Sequence, residues 1–267
     1  MTFPWREAPE GDFAVIGDPV VHSRSPRMHK AAYEALGLPY TYHAIQVPSG
    51  EVEEALARLT LLGYQGINVT VPHKEEALNW ADVVEPLAAK VRAANTLRLS
   101  DRACINTDAP GFLDTLAQFK PQVKSVLLIG AGGSARALIV ALLDDGYVVN
   151  LTNRTLQKAY ALADEFASDR LNVLETADPF DCALILNTTS ASLNKEELPI
   201  LWENAQSNAL AYDLMYARPT TPFLAKAASL GLRTMDGLPL LVAQGARSFE
   251  WWLGLGAPRQ VMQEAIQ

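Results

Sequence analysis

The sequence predicts an α/β protein with two domains, each built on a mostly parallel β-sheet and separated by a cleft. Strand and helix patterns alternate over the first third of the chain, as they do in proteins with parallel sheets. A second alternation begins near residue 122 with a continuous apolar run, KSVLLIG, which is typical of a strand buried on both faces. The chain has 267 residues, which is long enough for two domains with sizeable cores.

The first alternation predicts three strands and two helices. FAVIGDPV predicts the first strand, and Ser25 and Pro26 mark the start of a helix, with Ser25 at its N-cap. That helix is expected to end at Gly37, because glycine is common just beyond helix ends. YTYHAIQV and QGINVTV predict the next two strands, and EVEEALARLTLLG predicts the helix between them.

Polar side chains follow the predicted ends of these strands. They are Ser23, Ser25, Thr70 and Lys74. Ligands bind at the carboxyl ends of the strands in open α/β sheets. Burying such groups without partners costs roughly 1–3 kcal/mol each, so they either have structural partners or meet a ligand. Two structural alternatives stay open, in which Ser25 only caps a helix and Lys74 is a solvated helix residue.

Two later stretches, AANTL and INTDAPG, add further polar groups, notably Asn95, Asn106, Thr107 and Asp108. Hydroxyls, amides, one lysine and one aspartate suit a small polyhydroxylated ligand. A lysine held by a carboxylate, such as Lys74 beside Asp108, can take up the proton that is released when an alcohol is oxidised. The alternative for Asp108 is a turn residue before a Pro-Gly pair.

A glycine-rich turn follows the buried run of the second alternation. Gly130, Gly132 and Ala135 fit the pattern G-x-G-x-x-G/A between a strand and a helix. The small residues permit a tight turn, close approach of a pyrophosphate and close helix packing, and the helix N-terminus attracts phosphate. The pattern predicts a Rossmann-type dinucleotide-binding domain, and the alternative is such a turn without a nucleotide.

The end of the next strand indicates which dinucleotide binds. NAD-binding proteins usually carry an acidic residue there, which accepts hydrogen bonds from the ribose. This chain has LTNRT instead, with Asn153, Arg154 and Thr155, and Lys158 follows one turn later. A guanidinium can pair with a 2′-phosphate and stack on adenine. The sequence therefore favours NADP, and a solvated Arg154 is the alternative.

The domain boundaries follow from these patterns. We expect a substrate-binding and catalytic domain over residues 1–112 and an NADP-binding domain over residues 113–238. A C-terminal helix, 239–267, is expected to pack back on the first domain. The pair Trp251-Trp252 is more typical of a core than of an interface. Both a monomer and a homodimer stay open.

Composition excludes several classes of partner and site. The formal net charge of −8 argues against nucleic acid or an anionic membrane as a partner. Cys104 and Cys182 are expected to be reduced, and four histidines in no metal-ligand spacing argue against a metal. The sequence contains no signal-peptide or membrane-spanning pattern. We therefore expect a soluble, cytoplasmic protein with a small-molecule substrate.

The motifs quoted above resemble those of shikimate dehydrogenases, in the same order and over nearly the whole chain. HSRSPRMH is similar to that family's S-x-S-P segment, and NVTVPHK to its N-V-T-V-P-x-K segment. The stretches ANT, NTD, GAGGSARA, NRT, NTTS, YDLMYARPTTP and LVAQGA match further segments.

The resemblance implies reversible, NADP-dependent reduction of 3-dehydroshikimate to shikimate, in chorismate and aromatic amino-acid biosynthesis. It implies Lys74 and Asp108 as the catalytic acid–base pair. The substrate-binding residues that it implies are Ser23, Ser25, Thr70, Lys74, Asn95, Asp108, Tyr216 and Gln244. The cofactor-binding residues, including those of the glycine turn, are Gly130, Ala131, Gly132, Gly133, Ser134, Ala135, Asn153, Arg154, Thr155, Lys158, Asn187, Thr188, Thr189, Ser190 and Gly237.

The chain departs from the usual family pattern at Lys30, Ser192, Leu193, Asp236 and Pro239. None of these departures removes a candidate catalytic group. Two alternative functions stay open at this point. One is a related dehydrogenase that acts on quinate or an aminated analogue and accepts NAD, and the other is a non-catalytic nucleotide-binding regulatory module.

Overall fold

The structure is a computed structural model that describes residues 2–117, 119, 121–194, 196–217 and 219–267. The chain divides into two compact units. The first consists of the residues up to Gly111 together with Leu241–Gln267, and the second is Phe112–Leu240. Each unit contains a β-sheet with helices, which confirms the predicted two-domain α/β fold class.

Strands and helices are numbered along the chain. The strands are β1 (Thr2–Pro4), β2 (Phe13–Gly17), β3 (Tyr42–Gln46), β4 (Gly66–Val69), β5 (Val83–Val84), β6 (Thr96–Arg98), β7 (Ala103–Ile105), β8 (Ser125–Ile129), β9 (Val148–Thr152), β10 (Leu171–Val173), β11 (Leu184–Asn187), β12 (Leu210–Asp213) and β13 (Arg233–Met235). The helices are α1 (Ser25–Ala35), α2 (Val52–Leu61), α3 (Lys74–Trp80), α4 (Pro86–Val91), α5 (Asp108–Leu116), α6 (Gly133–Asp144), α7 (Leu156–Phe166), α8 (Pro222–Ser229), α9 (Leu238–Leu253) and α10 (Arg259–Ile266).

The sheet of the first unit has seven strands in the order β1-β3-β2-β4-β6-β7-β5. Strands β1 to β4 pair in parallel, as the alternation predicts. Strand β6 runs antiparallel to both β4 and β7, which the sequence does not predict, because these strands of three residues are too short to show a period. The motif ANT lies at the start of β6, and the motif NTD lies just beyond the end of β7.

Two boundaries in the first unit differ from the sequence prediction. Strand β4 ends at Val69, and Val71, which was expected to continue it, is 56% exposed. Ser25 is the first residue of α1 rather than its N-cap, which is Arg24, and no side chain caps this helix. The helix forms because Met28, His29, Ala32 and Tyr33 place one buried face along it at helical spacing.

The second unit has a six-stranded sheet in which every pair is parallel, in the order β10-β9-β8-β11-β12-β13. When these strands are numbered within the unit, the order is 3-2-1-4-5-6, which is that of the dinucleotide-binding fold. All five residues of β8 are buried, as its continuous apolar run predicts. The glycine turn follows β8 at the carboxyl edge of this sheet.

The tail of the chain forms two helices, α9 and α10, where one helix over 239–267 was expected. Gly254, with φ of 65°, ends α9, and Pro258 precedes α10. Both residues interrupt helical hydrogen bonding. Phe249 on α9 and Met262 and Ile266 on α10 are fully buried, so both helices contribute to the core of the first unit.

Candidate active site

A buried ion pair joins Lys74 and Asp108 in the first unit. Each residue begins a helix, α3 and α5 respectively, and the Lys74 Nζ donates a hydrogen bond of 2.7 Å to Asp108 Oδ2. Each residue is 7% exposed, so Lys74 is not the solvated helix residue of the alternative, and Asp108 begins a helix rather than a turn. A buried pair in this contact can hold a proton on nitrogen and release it to an adjacent oxygen.

Asn95 and Gln244 form a second polar pair in the same unit. Asn95 Nδ2 donates to Gln244 Oε1 at 3.4 Å, and the same nitrogen donates to Thr107 Oγ1 at 2.9 Å. Asn95 Oδ1 accepts from the Thr107 backbone N–H at 2.8 Å. In the 3.4 Å contact the Asn95 amide N–H faces the Gln244 amide oxygen. A ligand hydroxyl both donates and accepts, so it can bind between these two groups in place of their direct hydrogen bond.

The two pairs adjoin each other through the backbone. The Ala94 N–H donates to the Lys74 carbonyl at 2.9 Å, and Thr107, which holds Asn95, directly precedes Asp108. Thr70 lies one residue beyond β4, and its carbonyl accepts from the His73 N–H at 3.0 Å. The fold therefore brings Lys74, Asn95, Asp108 and Gln244 into one cluster, and Thr70 lies in the loop that leads into Lys74.

The two serines of the SRS segment lie before and at the start of α1. The Ser25 N–H donates to Ser23 Oγ at 3.3 Å. Tyr42, on β3, donates to Asn68 Oδ1 at 2.7 Å, and Asn68 Nδ2 donates to the Asn95 carbonyl at 3.2 Å. Tyr42 and Asn68 thereby support the Asn95 pair. Asn68, a polar residue in an otherwise apolar strand, has structural partners.

Four buried polar residues received no functional role from the sequence. They are Tyr42, Asn68, Ser248 and, in the second unit, Asp213. The signal that could have found Asn68 and Asp213 was a polar residue within an apolar strand. For Ser248 the signal was its place one helical turn after Gln244. Tyr42 gave no comparable signal, because tyrosine is an ordinary strand residue.

The glycine turn lies between β8 and α6. Gly130 has φ of +114°, and a Cβ there would lie 2.4 Å from Thr188 Oγ1, so only glycine fits. Gly132 is the N-cap of α6, and a Cβ there would meet nothing within 4 Å. Ala135 is fully buried against the sheet. The turn thus leaves open space in front of the N-terminus of α6, which fits a pyrophosphate.

The NRT segment lies between β9 and α7. Asn153 Nδ2 donates to the Thr155 carbonyl at 2.9 Å, and Thr155 is the N-cap of α7. The Arg154 side chain is 91% exposed, with Glu196 3.6 Å from its guanidinium. Lys158 is in the first turn of α7. The segment therefore presents cations at the strand end, where an acidic residue would select NAD.

A buried carboxylate, Asp213 at the end of β12, organises the NTTS loop after β11. Its Oδ1 accepts from Asn187 Nδ2 at 2.9 Å, and its Oδ2 accepts from Ser192 Oγ at 2.6 Å and Thr221 Oγ1 at 2.7 Å. Burial raises the pKa of Asp213, and these hydrogen bonds oppose that rise. Asn187 is fully buried, so its side chain holds the loop.

Other residues of the NTTS loop lie nearer the glycine turn. Thr188 Oγ1 donates to the Ile129 carbonyl at 2.9 Å, which places the loop against that turn. Thr189 Oγ1 donates to Asn187 Oδ1 at 2.7 Å, and Ser190 is exposed.

The departures from the family pattern have local explanations. Ser192 supplies one hydrogen bond to Asp213. Asp236 Oδ1 accepts from the Leu238 N–H at 3.1 Å, and Pro239 occupies the first turn of α9, so both fit a helix start. Lys30 forms an exposed i,i+4 pair with Glu34. The side chain of Leu193 lies outside the described part of the chain.

Gly237 and Tyr216 lie in the second unit. A Cβ at Gly237 would lie 1.9 Å from the Leu214 carbonyl oxygen, so the close approach of two backbone segments requires glycine. Tyr216 lies in the loop after β12. This places it in a different unit from the other substrate-binding candidates.

Within the described residues, no helix has the length and apolarity that a membrane span requires. No group of three or more His, Cys, Asp or Glu side chains in those residues is placed to hold a metal ion. Cys104 and Cys182 are buried free thiols, and burial raises the pKa of both.

A dinucleotide-binding unit combined with an α/β unit that holds a buried lysine–aspartate pair defines a two-domain nicotinamide-dependent dehydrogenase. Family models match the chain over residues 15–97 (shikimate dehydrogenase substrate binding domain), 115–239 (shikimate/quinate 5-dehydrogenase) and 237–267 (shikimate 5′-dehydrogenase C-terminal domain). The chain belongs to the shikimate dehydrogenase family, as the sequence motifs predict.

Individual relatives agree over nearly their full length. The shikimate dehydrogenase (NADP(+)) of Moorella thermoacetica is 40% identical, covering 98% of this chain and 94% of its own. The crystal structure of shikimate dehydrogenase from Aquifex aeolicus has a TM-score of 0.88 at 35% identity, covering 96% and 97% of the two chains. The Thermus thermophilus enzyme, solved in complex with NADP(H) and shikimate, has a TM-score of 0.86 at 39% identity, covering 95% and 97%.

Proposed function

We propose that the protein catalyses the reversible, NADP-dependent reduction of 3-dehydroshikimate to shikimate, a step of chorismate and aromatic amino-acid biosynthesis. The observation that carries this proposal is the buried Lys74–Asp108 pair beside the Asn95–Gln244 pair. These are the two kinds of group that a polyhydroxylated ring with one reacting carbonyl requires. The names of the relatives support the choice of substrate and cofactor.

The proton chemistry belongs to Lys74. A bound NADPH would supply the hydride that turns the ketone into an alcohol. Lys74 gives a proton to the carbonyl oxygen in this direction and accepts the hydroxyl proton in the reverse direction. Asp108 holds the Lys74 nitrogen in position through the 2.7 Å hydrogen bond to its Oδ2.

The remaining polar residues bind the substrate. Ser23 and Ser25 suit its carboxylate, because hydroxyl donors form strong hydrogen bonds to a charged acceptor. Thr70, Asn95 and Gln244 suit its ring hydroxyls. Tyr216, on the second unit, remains a predicted substrate contact.

The second unit provides the cofactor site. The open space at Gly132 and the N-terminus of α6 suit the pyrophosphate. Arg154 and Lys158 suit the 2′-phosphate, and Thr188, Thr189, Ser190 and Gly237 remain predicted contacts. We assign substrate binding to residues 1–112 with 239–267 and cofactor binding to residues 113–238. We further propose a cytoplasmic protein that is a monomer or a homodimer.

The test is the absorbance at 340 nm of purified protein with shikimate and NADP⁺, repeated with NAD⁺ and with quinate. We expect rapid NADPH formation with shikimate and NADP⁺ and much slower reactions in the other mixtures. Turnover only with quinate or NAD⁺ would contradict the substrate or cofactor assignment. Absence of turnover in every mixture would favour a non-catalytic module.

A further inference from the structure

Ser248 lies in α9, the helix that carries Gln244 of the Asn95–Gln244 pair, and its side chain is fully shielded from solvent. It is four residues after Gln244, and its Oγ donates to the Gln244 carbonyl at 3.0 Å. Such a bond within a helix is common for serine and by itself carries no function. The other contacts of this hydroxyl, however, lead out of the helix.

Ser248 Oγ joins α9 to the sheet through three further side chains. It lies 2.8 Å from Thr96 Oγ1 and 3.4 Å from Thr107 Oγ1, and it accepts from Asn68 Nδ2 at 2.9 Å. These partners lie on β6, after β7 and on β4, and all are buried. One hydroxyl therefore fixes α9 against strands β4 and β6 and the segment after β7.

Two of these partners hold Asn95. Thr107 Oγ1 accepts from Asn95 Nδ2 at 2.9 Å, and Thr96 Oγ1 lies 3.2 Å from Asn95 Oδ1, where its single proton serves either Asn95 or Ser248. Ser248 is therefore bonded to Gln244 through its carbonyl and contacts both threonines that adjoin Asn95. It connects both members of the pair whose amide groups meet at 3.4 Å.

We infer that Ser248 is a positioning residue that sets the separation between Asn95 and Gln244 and thereby the affinity for a substrate hydroxyl. The inference rests on the proposed function, in which that pair binds a ring hydroxyl. Ser248 itself does not touch the substrate. Without its hydroxyl, α9 keeps its apolar packing and the bond from Trp252 Nε1 to the Leu97 carbonyl, but it loses the Ser248 contacts with Asn68, Thr96 and Thr107 beside Asn95. The spacing of the pair is then less tightly fixed.

The test is Ser248→Ala, assayed with shikimate and NADP⁺. We expect the KM for shikimate to rise about five-fold, the ratio that loss of one ordinary hydrogen bond produces. The kcat and the KM for NADP⁺ should change less than about two-fold. Ser125→Ala is the matched control, because Ser125 is a buried, hydrogen-bonded serine in the second unit. It should leave the KM for shikimate unchanged.

A double-mutant cycle separates positioning from general loss of stability. If Ser248 acts through the Asn95–Gln244 pair, adding Ser248→Ala to Gln244→Ala should change the KM for shikimate little further. The inference would be overturned, while the proposed function stands, if the two substitutions raise the KM for shikimate by factors that multiply in the double variant. An unchanged KM in Ser248→Ala would overturn it too. No turnover of shikimate by the unaltered protein would overturn both. If Ser248→Ala does not fold, Thr96→Val removes the 2.8 Å partner at nearly constant volume, and an unchanged KM there would overturn the inference.

Discussion

At the scale of single residues, the acid–base assignment rests on Lys74. Lys74→Ala should lower kcat for shikimate oxidation at least about 100-fold, the usual contribution of a positioned acid–base group. The KM for shikimate should change much less. Initial rates at 340 nm measure both. Lys124→Ala, which removes an exposed lysine paired with Asp145, should leave kcat unchanged. An unaltered kcat in Lys74→Ala would contradict the assignment.

Removal of Lys74 also leaves Asp108 buried without its partner, which destabilises a protein. Thermal unfolding of Lys74→Ala should therefore be measured beside its rates. If the folded fraction at the assay temperature equals that of the unaltered protein, the loss of rate belongs to the chemistry.

Two buried tyrosines in one aromatic cluster allow a matched comparison of hydroxyl groups. Tyr42→Phe removes the donor to Asn68 Oδ1 and should lower the free energy of unfolding by about 1–3 kcal/mol, because a buried acceptor loses its partner. The Tyr33 hydroxyl has no hydrogen-bond partner in the described part of the chain. Tyr33→Phe should therefore be neutral or slightly stabilising. Urea unfolding measures both, and equal effects would contradict the role of Tyr42.

His29 predicts a pH dependence of stability. Burial lowers the pKa of His29 from 6.5 to about 3, and its ring stacks on Tyr42 at a centroid distance of 4.3 Å. Between these two values the unfolded chain binds a proton that the folded protein does not. Stability contributed by neutral His29 is therefore complete above pH 6.5 and decreases as the pH falls toward 3, by up to about 1.4 kcal/mol per pH unit.

The measurement is urea unfolding at several pH values between about 7.5 and 5, which bracket the ordinary histidine pKa. His29→Phe keeps an aromatic ring beside Tyr42 and should show a shallower decline, because the carboxylates contribute equally in both proteins. Equal slopes would show that His29 does not bind a proton on unfolding.

At the scale of elements, Gly130 and Gly132 have different roles in the glycine turn. Gly130→Ala forces an L-residue into a positive φ and against Thr188, and should cost at least about 1–3 kcal/mol of stability. Gly132→Ala has ordinary backbone angles and open space around its Cβ, so its stability should change by less than about 0.5 kcal/mol.

Gly132→Ala should also weaken the binding of NADP⁺. In Gly132→Ala the added methyl group occupies the space that a pyrophosphate requires, so the KM for NADP⁺ should rise while the KM for shikimate stays constant. Unchanged kinetics would mean that the pyrophosphate does not approach this backbone.

The elements also show where sequence patterns suffice. Strand β8 and helix α6 were predicted because a continuous apolar run and a glycine pattern between a strand and a helix agree locally. Strands β6 and β7 were not, since each has three residues and their pairing is antiparallel. The position of Ser25 inside α1 was also missed, because Ser-Pro at a helix start fits either the N-cap or the first turn.

At the scale of the whole molecule, the first unit is discontinuous in sequence. A chain that ends at residue 240 lacks Phe249, Met262 and Ile266, which are fully buried in that unit. Hydrogen exchange of the truncated protein should therefore show loss of protection in β2 and β3 and retained protection in β8 and β9. Protection of β2 and β3 equal to that of the full chain would contradict this dependence.

The sequence by itself determined the α/β class, the glycine turn, the preference for NADP and the identity of the candidate catalytic lysine and aspartate. Each of these depends on local patterns or on residue chemistry, which a short stretch of sequence contains. Only the tertiary structure decided that Ser248, Tyr42, Asn68 and Asp213 hold the candidate functional groups in place. Their partners lie up to 180 residues away in sequence, as between Asn68 and Ser248, and a hydrogen bond over such a separation depends on how strands and helices pack.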